Sequence, residues 1–126
     1  MAKPISDVIC LLDDDLSILK AVARSLSLAG WRVKEFSDPQ AFLLYVKGNG
    51  AAVAVIDVWM PLMNGLEVQS RLRDLSPSTR VIIFTGKGDS GIRTTALNAG
   101  ASAFLTKPLD DEELLAAVRC ALASPT

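Results

Sequence analysis

Five short apolar runs recur along the chain, each followed by a stretch whose apolar positions repeat at helical spacing. Val8-Ile9-Cys10-Leu11-Leu12 is a continuous apolar run, the pattern of a strand buried on both faces; Ala52-Val53-Ala54-Val55-Ile56, Val81-Ile82-Ile83-Phe84 and Ala103-Phe104-Leu105-Thr106 are read as three further strands. Trp31-Arg32-Val33-Lys34-Glu35-Phe36 instead alternates with period two, which predicts a strand with one wet face at a sheet edge. Between them, residues 16–29 carry Ile18, Leu19, Val22, Leu26 and Ala29 at helical spacing, with Gly30 as the stop. Asp38-Pro39 opens a second helix, with Asp as cap and Pro in the first turn, and Gly48-Asn49-Gly50 ends it. Further helices are predicted over 66–75, 92–99 and, behind the cap Asp110, from there to about 123. Five βα units in series predict an α/β fold, a parallel sheet with helices on both faces.

Length and composition narrow the picture. With 126 residues, the chain is one domain's worth, read as a domain over 1–123 and a tail or severed linker over 124–126. Half of it is apolar and its net charge is −1. No basic field points to nucleic acid or to an anionic membrane. The run 8–12 is too short for a membrane span or a signal peptide. The absence of histidine excludes His-based catalytic dyads, His-ligated zinc and His phosphocarrier chemistry in this chain. Cys10 and Cys120, far apart and within apolar segments, are read as buried small hydrophobes in a reducing, cytoplasmic setting.

In an open parallel sheet, ligands bind beyond the carboxyl ends of the strands. The residues at those ends are Asp13, Asp14 and Asp15 after the first strand, Asp57 after the third, Thr85 after the fourth, and Lys107 with Pro108 after the fifth. Ser37 and Asp38, after the second, are read as capping residues. Asp15 is read as the cap of the first helix, where negative charge is favourable. Asp13, Asp14 and Asp57 on one rim repel one another, so they require a cation or a proton. Oxygen ligands with room for waters and a phosphate suit Mg²⁺. Asp57 is then a candidate carboxylate nucleophile, with Thr85 and Lys107 placed to stabilise a transferring phosphoryl group.

Leu12-Asp13-Asp14-Asp15, Ile56-Asp57-Val58-Trp59-Met60-Pro61 with Asn64-Gly65, Phe84-Thr85-Gly86, and Phe104-Leu105-Thr106-Lys107-Pro108 together resemble the receiver domain of two-component response regulators, over essentially the whole chain. The resemblance implies a doubly wound, flavodoxin-like five-stranded parallel sheet in the order 2-1-3-4-5 with five helices. It implies that Asp57 is the phosphoacceptor. Asp13, Asp14, Asp57 and the Trp59 backbone carbonyl would hold Mg²⁺, with Asp14 the more direct ligand of the acidic pair. Thr85 would be the switch hydroxyl, Phe104 the aromatic switch, Lys107 the phosphate-pairing lysine, and the Lys107–Pro108 bond cis. The donor would be a phosphohistidine on a sensor histidine kinase. The face of the fourth helix, fifth strand and fifth helix, with Ile92, Ala96 and Phe104 as candidates, would pass the signal to an output partner or form a homodimer. The run 84–89 is most similar to receivers attached to helix-turn-helix output domains, which suggests a DNA-binding domain missing from the C-terminal side. This chain, with no basic recognition helix, should not bind DNA itself.

Two positions depart from the common pattern, and one motif misleads. Trp59 is unusually bulky and Lys87 adds charge; both flank the path of the hydrolytic water, so Trp59 is expected to shield the acyl phosphate. Lys87 either holds a phosphate or is a solvated loop residue. Phe104 lacks the hydroxyl of the tyrosine often found there, so its switching must rest on packing. Gly86-Lys87-Gly88-Asp89-Ser90-Gly91 matches a dinucleotide fingerprint. It follows the wrong strand, however, and the acids downstream begin a helix where one ending a strand is required. Competing functions are a pseudo-receiver that serves as an interaction module, and an aspartyl-phosphate phosphatase. Such phosphatases carry two aspartates flanking one residue after their first strand, a spacing this chain lacks. No turnover of an external substrate is expected.

Overall fold

Strands β1 (Val8–Leu12), β2 (Arg32–Phe36), β3 (Val53–Asp57), β4 (Arg80–Thr85) and β5 (Ala103–Thr106) alternate with helices α1 (Leu16–Leu28), α2 (Pro39–Asn49), α3 (Gly65–Leu75), α4 (Ser90–Asn98) and α5 (Asp111–Ala123). The structure is a computed structural model and describes residues 7–86 and 90–123; Lys87 and the tail 124–126 lie outside them. All strand pairs are parallel, in the order β2-β1-β3-β4-β5.

Period-two alternation divides the core between the two faces of the sheet. Ile9, Leu11, Val53, Val55, Ile82, Phe84 and Leu105 pack with Leu19, Val22, Ala23 and Leu26 of α1 and Leu114, Val118 and Ala121 of α5. Their strand neighbours Cys10, Leu12, Ala54, Ile56, Val81 and Ile83 pack with α2, α3 and α4 through Phe42, Leu43, Val46, Val68, Leu72 and Ala96. The central strands feed both cores, which is why they read as continuous apolar runs. β2, at the edge, is covered less completely, in keeping with its alternating sequence.

Local chemistry sets the helix ends. The Asp15 carboxylate accepts the Ser17 and Ile18 N–H groups at 2.9 and 3.2 Å. The Asp38 carboxylate accepts the Ala41 N–H at 3.0 Å, and Pro39 occupies the first turn. Gly30 and Gly100 close α1 and α4 with φ of 98° and 102°, a region nearly reserved for glycine.

Some boundaries differ from the sequence reading. β3 and β4 reach Asp57 and Thr85 because the ladder continues to the polar rim, where apolar patterning gives no signal. α4 begins at Ser90, two residues before the expected start, because its first turn is exposed. Two side-chain expectations are corrected. Cys10 is buried, but Cys120 is exposed: the inward stripe of α5 runs through Leu114, Val118 and Ala121, and Cys120 falls beside it. Ala96 was expected on the outward signalling face, but it is fully buried, so it belongs to the core.

Candidate functional site

The register brings the chemically useful residues to one rim. Leu12 lies opposite Ile56, Asp57 opposite Phe84, and Thr85 opposite Thr106. Backbone pairing continues one residue further. The Asp13 N–H donates to the Phe36 carbonyl at 3.1 Å, the Val58 N–H to the Phe84 carbonyl at 3.1 Å, and the Lys107 N–H to the Thr85 carbonyl at 2.9 Å. The main chain beneath each functional side chain is therefore fixed by the sheet itself.

Asp13 and Asp57 are buried and Asp14 is exposed. One carboxylate oxygen from each lies within 4.8 Å of the others. The Lys107 Nζ donates to Asp13 Oδ2 at 3.0 Å and pairs with Asp57 Oδ1 at 3.2 Å. The Asp15 N–H donates to Asp13 Oδ1 at 2.9 Å, so both Asp13 oxygens are engaged. Lys107 Nζ also stands 4.9 Å from the Phe84 ring centroid, within cation–π range. Trp59, Asp15 and Gly86 complete the lining of this cleft.

The electrostatics show what the cluster lacks. Burial pushes Asp57 up from the ordinary 3.8 to about 6; the Asp13 charge adds to the rise, Lys107 opposes it, and Asp14 contributes a smaller increase. For Lys107, burial acts to lower the pKa, but the hydrogen bond and charge of Asp13, and those of Asp57, outweigh it and the pKa is raised. Three carboxylates facing one ammonium are short of positive charge. A hard divalent cation with oxygen ligands fits that deficit.

A conformational requirement accompanies the charges. The Gly65 N–H donates to the Val58 carbonyl at 2.8 Å, and Asn64 caps α3 by accepting the Glu67 N–H at 2.9 Å. A Cβ on Gly65 would collide with the Asp57 carbonyl oxygen and stand 2.9 Å from Val58 Cα. The first turn of α3 thus sits directly on the backbone that carries Asp57.

The family model of the response regulator receiver domain matches residues 9–119. The chain belongs to that family. Response regulator protein TodT of Pseudomonas putida strain F1 is 39% identical over 117 residues, which make up 93% of this chain and 52% of TodT. TmoT of Ectopseudomonas mendocina is 41% identical over 115 residues, 91% of this chain and 52% of TmoT. The chain spans about half the length of the curated relatives it matches. Among solved structures, a CheY-like receiver domain protein from Methanospirillum hungatei JF-1 superposes with a TM-score of 0.87 at 27% identity over 94% of each chain. The BeF3-activated DrrB receiver domain superposes with a TM-score of 0.85 at 34% identity, over 95% of this chain and all of that one.

The receiver fold brings Asp13, Asp14, Asp57 and Lys107 together, with Trp59 half-exposed at the cleft. Thr85 is wholly buried at the end of β4. Phe104 lies opposite Ile83 and is half-buried against the core of the α2–α4 side. The Lys107–Pro108 peptide is cis. Two contributors escape a reading of the sequence alone. Gly65 reads only as part of the Asn64-Gly65 motif; that its lack of a side chain admits α3 is seen in the folded chain. Phe84 reads as a strand residue; its place beside Lys107 follows from the β4–β5 register, which apolar patterning does not encode.

Proposed function

We propose that this receiver is a phosphorylation-controlled switch in which Asp57 accepts a phosphoryl group from a phosphohistidine of a sensor histidine kinase. An Asp57 oxygen forms the new O–P bond as the donor's P–N bond breaks, and the imidazole leaves with the electron pair. Asp13, Asp14 and Asp57, with the Trp59 backbone carbonyl, would hold Mg²⁺, which supplies charge neutralisation at the phosphoryl oxygens. Lys107 keeps an ammonium beside the nucleophile. Asp13 holds that ammonium in position through its own hydrogen bond. Thr85 offers the hydroxyl that bonds the phosphoryl group once it is in place, and Phe104 follows it by packing.

The observation that carries this reading is the Lys107 ammonium bridging Asp13 and Asp57 at 3.0 and 3.2 Å, within a three-carboxylate cluster at the strand ends. The signal then leaves through α4, β5 and α5, to an output partner, an attached DNA-binding output domain, or a second receiver. The reading implies a signalling module in the cytoplasm with no external substrate to turn over.

Intact mass after incubation with acetyl phosphate, with and without Mg²⁺, tests it. A single phosphoryl adduct that needs Mg²⁺ and is absent from Asp57→Asn is expected. A folded protein in excess Mg²⁺ that takes no adduct, or an adduct that survives in Asp57→Asn, would overturn the assignment.

A further inference from the structure

α4 has little apolar anchorage. Of its nine residues, all described, only Ala96 is buried, whereas α1 buries Leu19, Val22, Ala23 and Leu26 and α5 buries Leu114, Val118 and Ala121. Ala96 and the partly buried Ile92 remove less apolar area from water than the stripes of α1 and α5, so hydrophobic burial holds α4 more weakly. Hydrogen bonds from α3 supplement it. Gln69 Nε2 donates to the Ala96 carbonyl at 3.0 Å, and Arg73 Nη1, one turn on, donates to the Ala99 carbonyl at 3.3 Å.

Gln69 is an unusual residue for its place. It is only 3% exposed and sits on the buried stripe of α3 with Val68 and Leu72, where an apolar side chain would be ordinary. Turning its amide over would set two oxygens against each other, so the donor must face Ala96. Its Oε1 is left buried with no hydrogen-bond partner among the described residues. The Ala96 carbonyl already accepts the Ala101 N–H at 3.1 Å, so the α4 terminus does not need Gln69 for satisfaction. A half-satisfied buried amide is a poor stabiliser of a core. Its distinctive consequence is to register α4 on α3.

We infer that Gln69 is a positioning residue that latches the C-terminal half of α4 to α3 and opposes the displacement of α4 when Asp57 is phosphorylated. This rests on the phosphoacceptor reading above. α4 follows the β4 end that carries Thr85 in the chain, so a shift of Thr85 reaches the N-terminal end of the helix while Gln69 holds the other end. The unpaired Oε1 keeps the latch weak enough for phosphorylation to break.

The test compares the 126-residue protein with Gln69→Leu and Gln69→Met, which keep the size and remove the amide. Exchange of the Ala99, Gly100 and Ala101 amide hydrogens is expected to speed up roughly three- to tenfold, with α1 and α5 amides within about twofold of the unmodified protein. The initial rate of Asp57 adduct formation from acetyl phosphate and Mg²⁺ is expected to rise at least about threefold in the same variants. Unchanged α4 exchange, equal acceleration in α1 and α5, or an unchanged or slower adduct rate overturns the latch. So does failure of both variants to fold, which would make the amide a core requirement. If the unmodified protein takes no adduct, the phosphoacceptor reading fails and the coupling with it. An adduct without faster α4 exchange sinks the latch and leaves that reading standing.

Discussion

Replacing the central carboxylate of the cluster should make the metal-free protein more stable. Asp57 is almost fully buried, beside Asp13, and its pKa is raised from 3.8 to about 6. A carboxyl whose folded pKa lies above its unfolded value destabilises the fold. That penalty is fully present above the folded value, fades as the pH falls through about 6, and is lost below 3.8, where both states are protonated. At about 1.4 kcal/mol per pKa unit, the ceiling is about 3 kcal/mol at pH 7.5. Asp57→Asn removes the charge but also the contact with Lys107, so a gain of about 1–3 kcal/mol is expected. For a chain of this length that corresponds to a rise in melting temperature of roughly 4–10 °C. The assay is thermal unfolding of both proteins in a chelator at pH 7.5 and pH 4. At pH 4 the difference should fall below about 1 kcal/mol. Excess Mg²⁺ at pH 7.5 should stabilise the unmodified protein by about 2.7 kcal/mol at a hundredfold excess over the dissociation constant, and the variant by less. An Asp57→Asn protein no more stable than its parent in chelator, or a difference that does not shrink between pH 7.5 and pH 4, would refute the reasoning.

Other outcomes follow from the same geometry. Lys107→Ala leaves Asp13 and Asp57 buried without their ammonium. It should cost about 3 kcal/mol or more in a chelator at neutral pH, with less loss below pH 6 as Asp57 takes a proton; a loss independent of pH argues against the ion pair as its cause. Gly65→Ala drives a methyl into the Asp57 carbonyl, so urea unfolding should show a loss of about 1–3 kcal/mol, and a neutral result would mean that the first turn of α3 can retreat. Trp59→Ala opens the cleft to water, and the half-life of the phosphorylated protein should fall by roughly threefold or more; an unchanged or longer half-life dismisses Trp59 as a shield.

Local pattern was enough to indicate much of this protein. The alternating β2 announced an edge and the continuous β1 a central strand, because burial on one face or two dictates the pattern directly; β5, the other edge, carried no such signal. Asp38-Pro39 and Gly30 marked helix ends, because capping and positive φ are properties of single residues. That Asp13, Asp14, Asp57 and Lys107 come together was legible because the carboxyl ends of parallel strands share one rim. Other features required the folded chain. The positions of Gly65 against the Asp57 carbonyl, Phe84 beside Lys107, and Gln69 beneath Ala96 are contacts between segments distant in sequence or brought together by a tight turn. Hydrophobic periodicity specifies which face of an element is buried, but not what meets it there. Cys120 and Ala96 show the same limit at single residues. Both lie in apolar stretches, and the rotation of each helix on the sheet sent one outward and the other into the core.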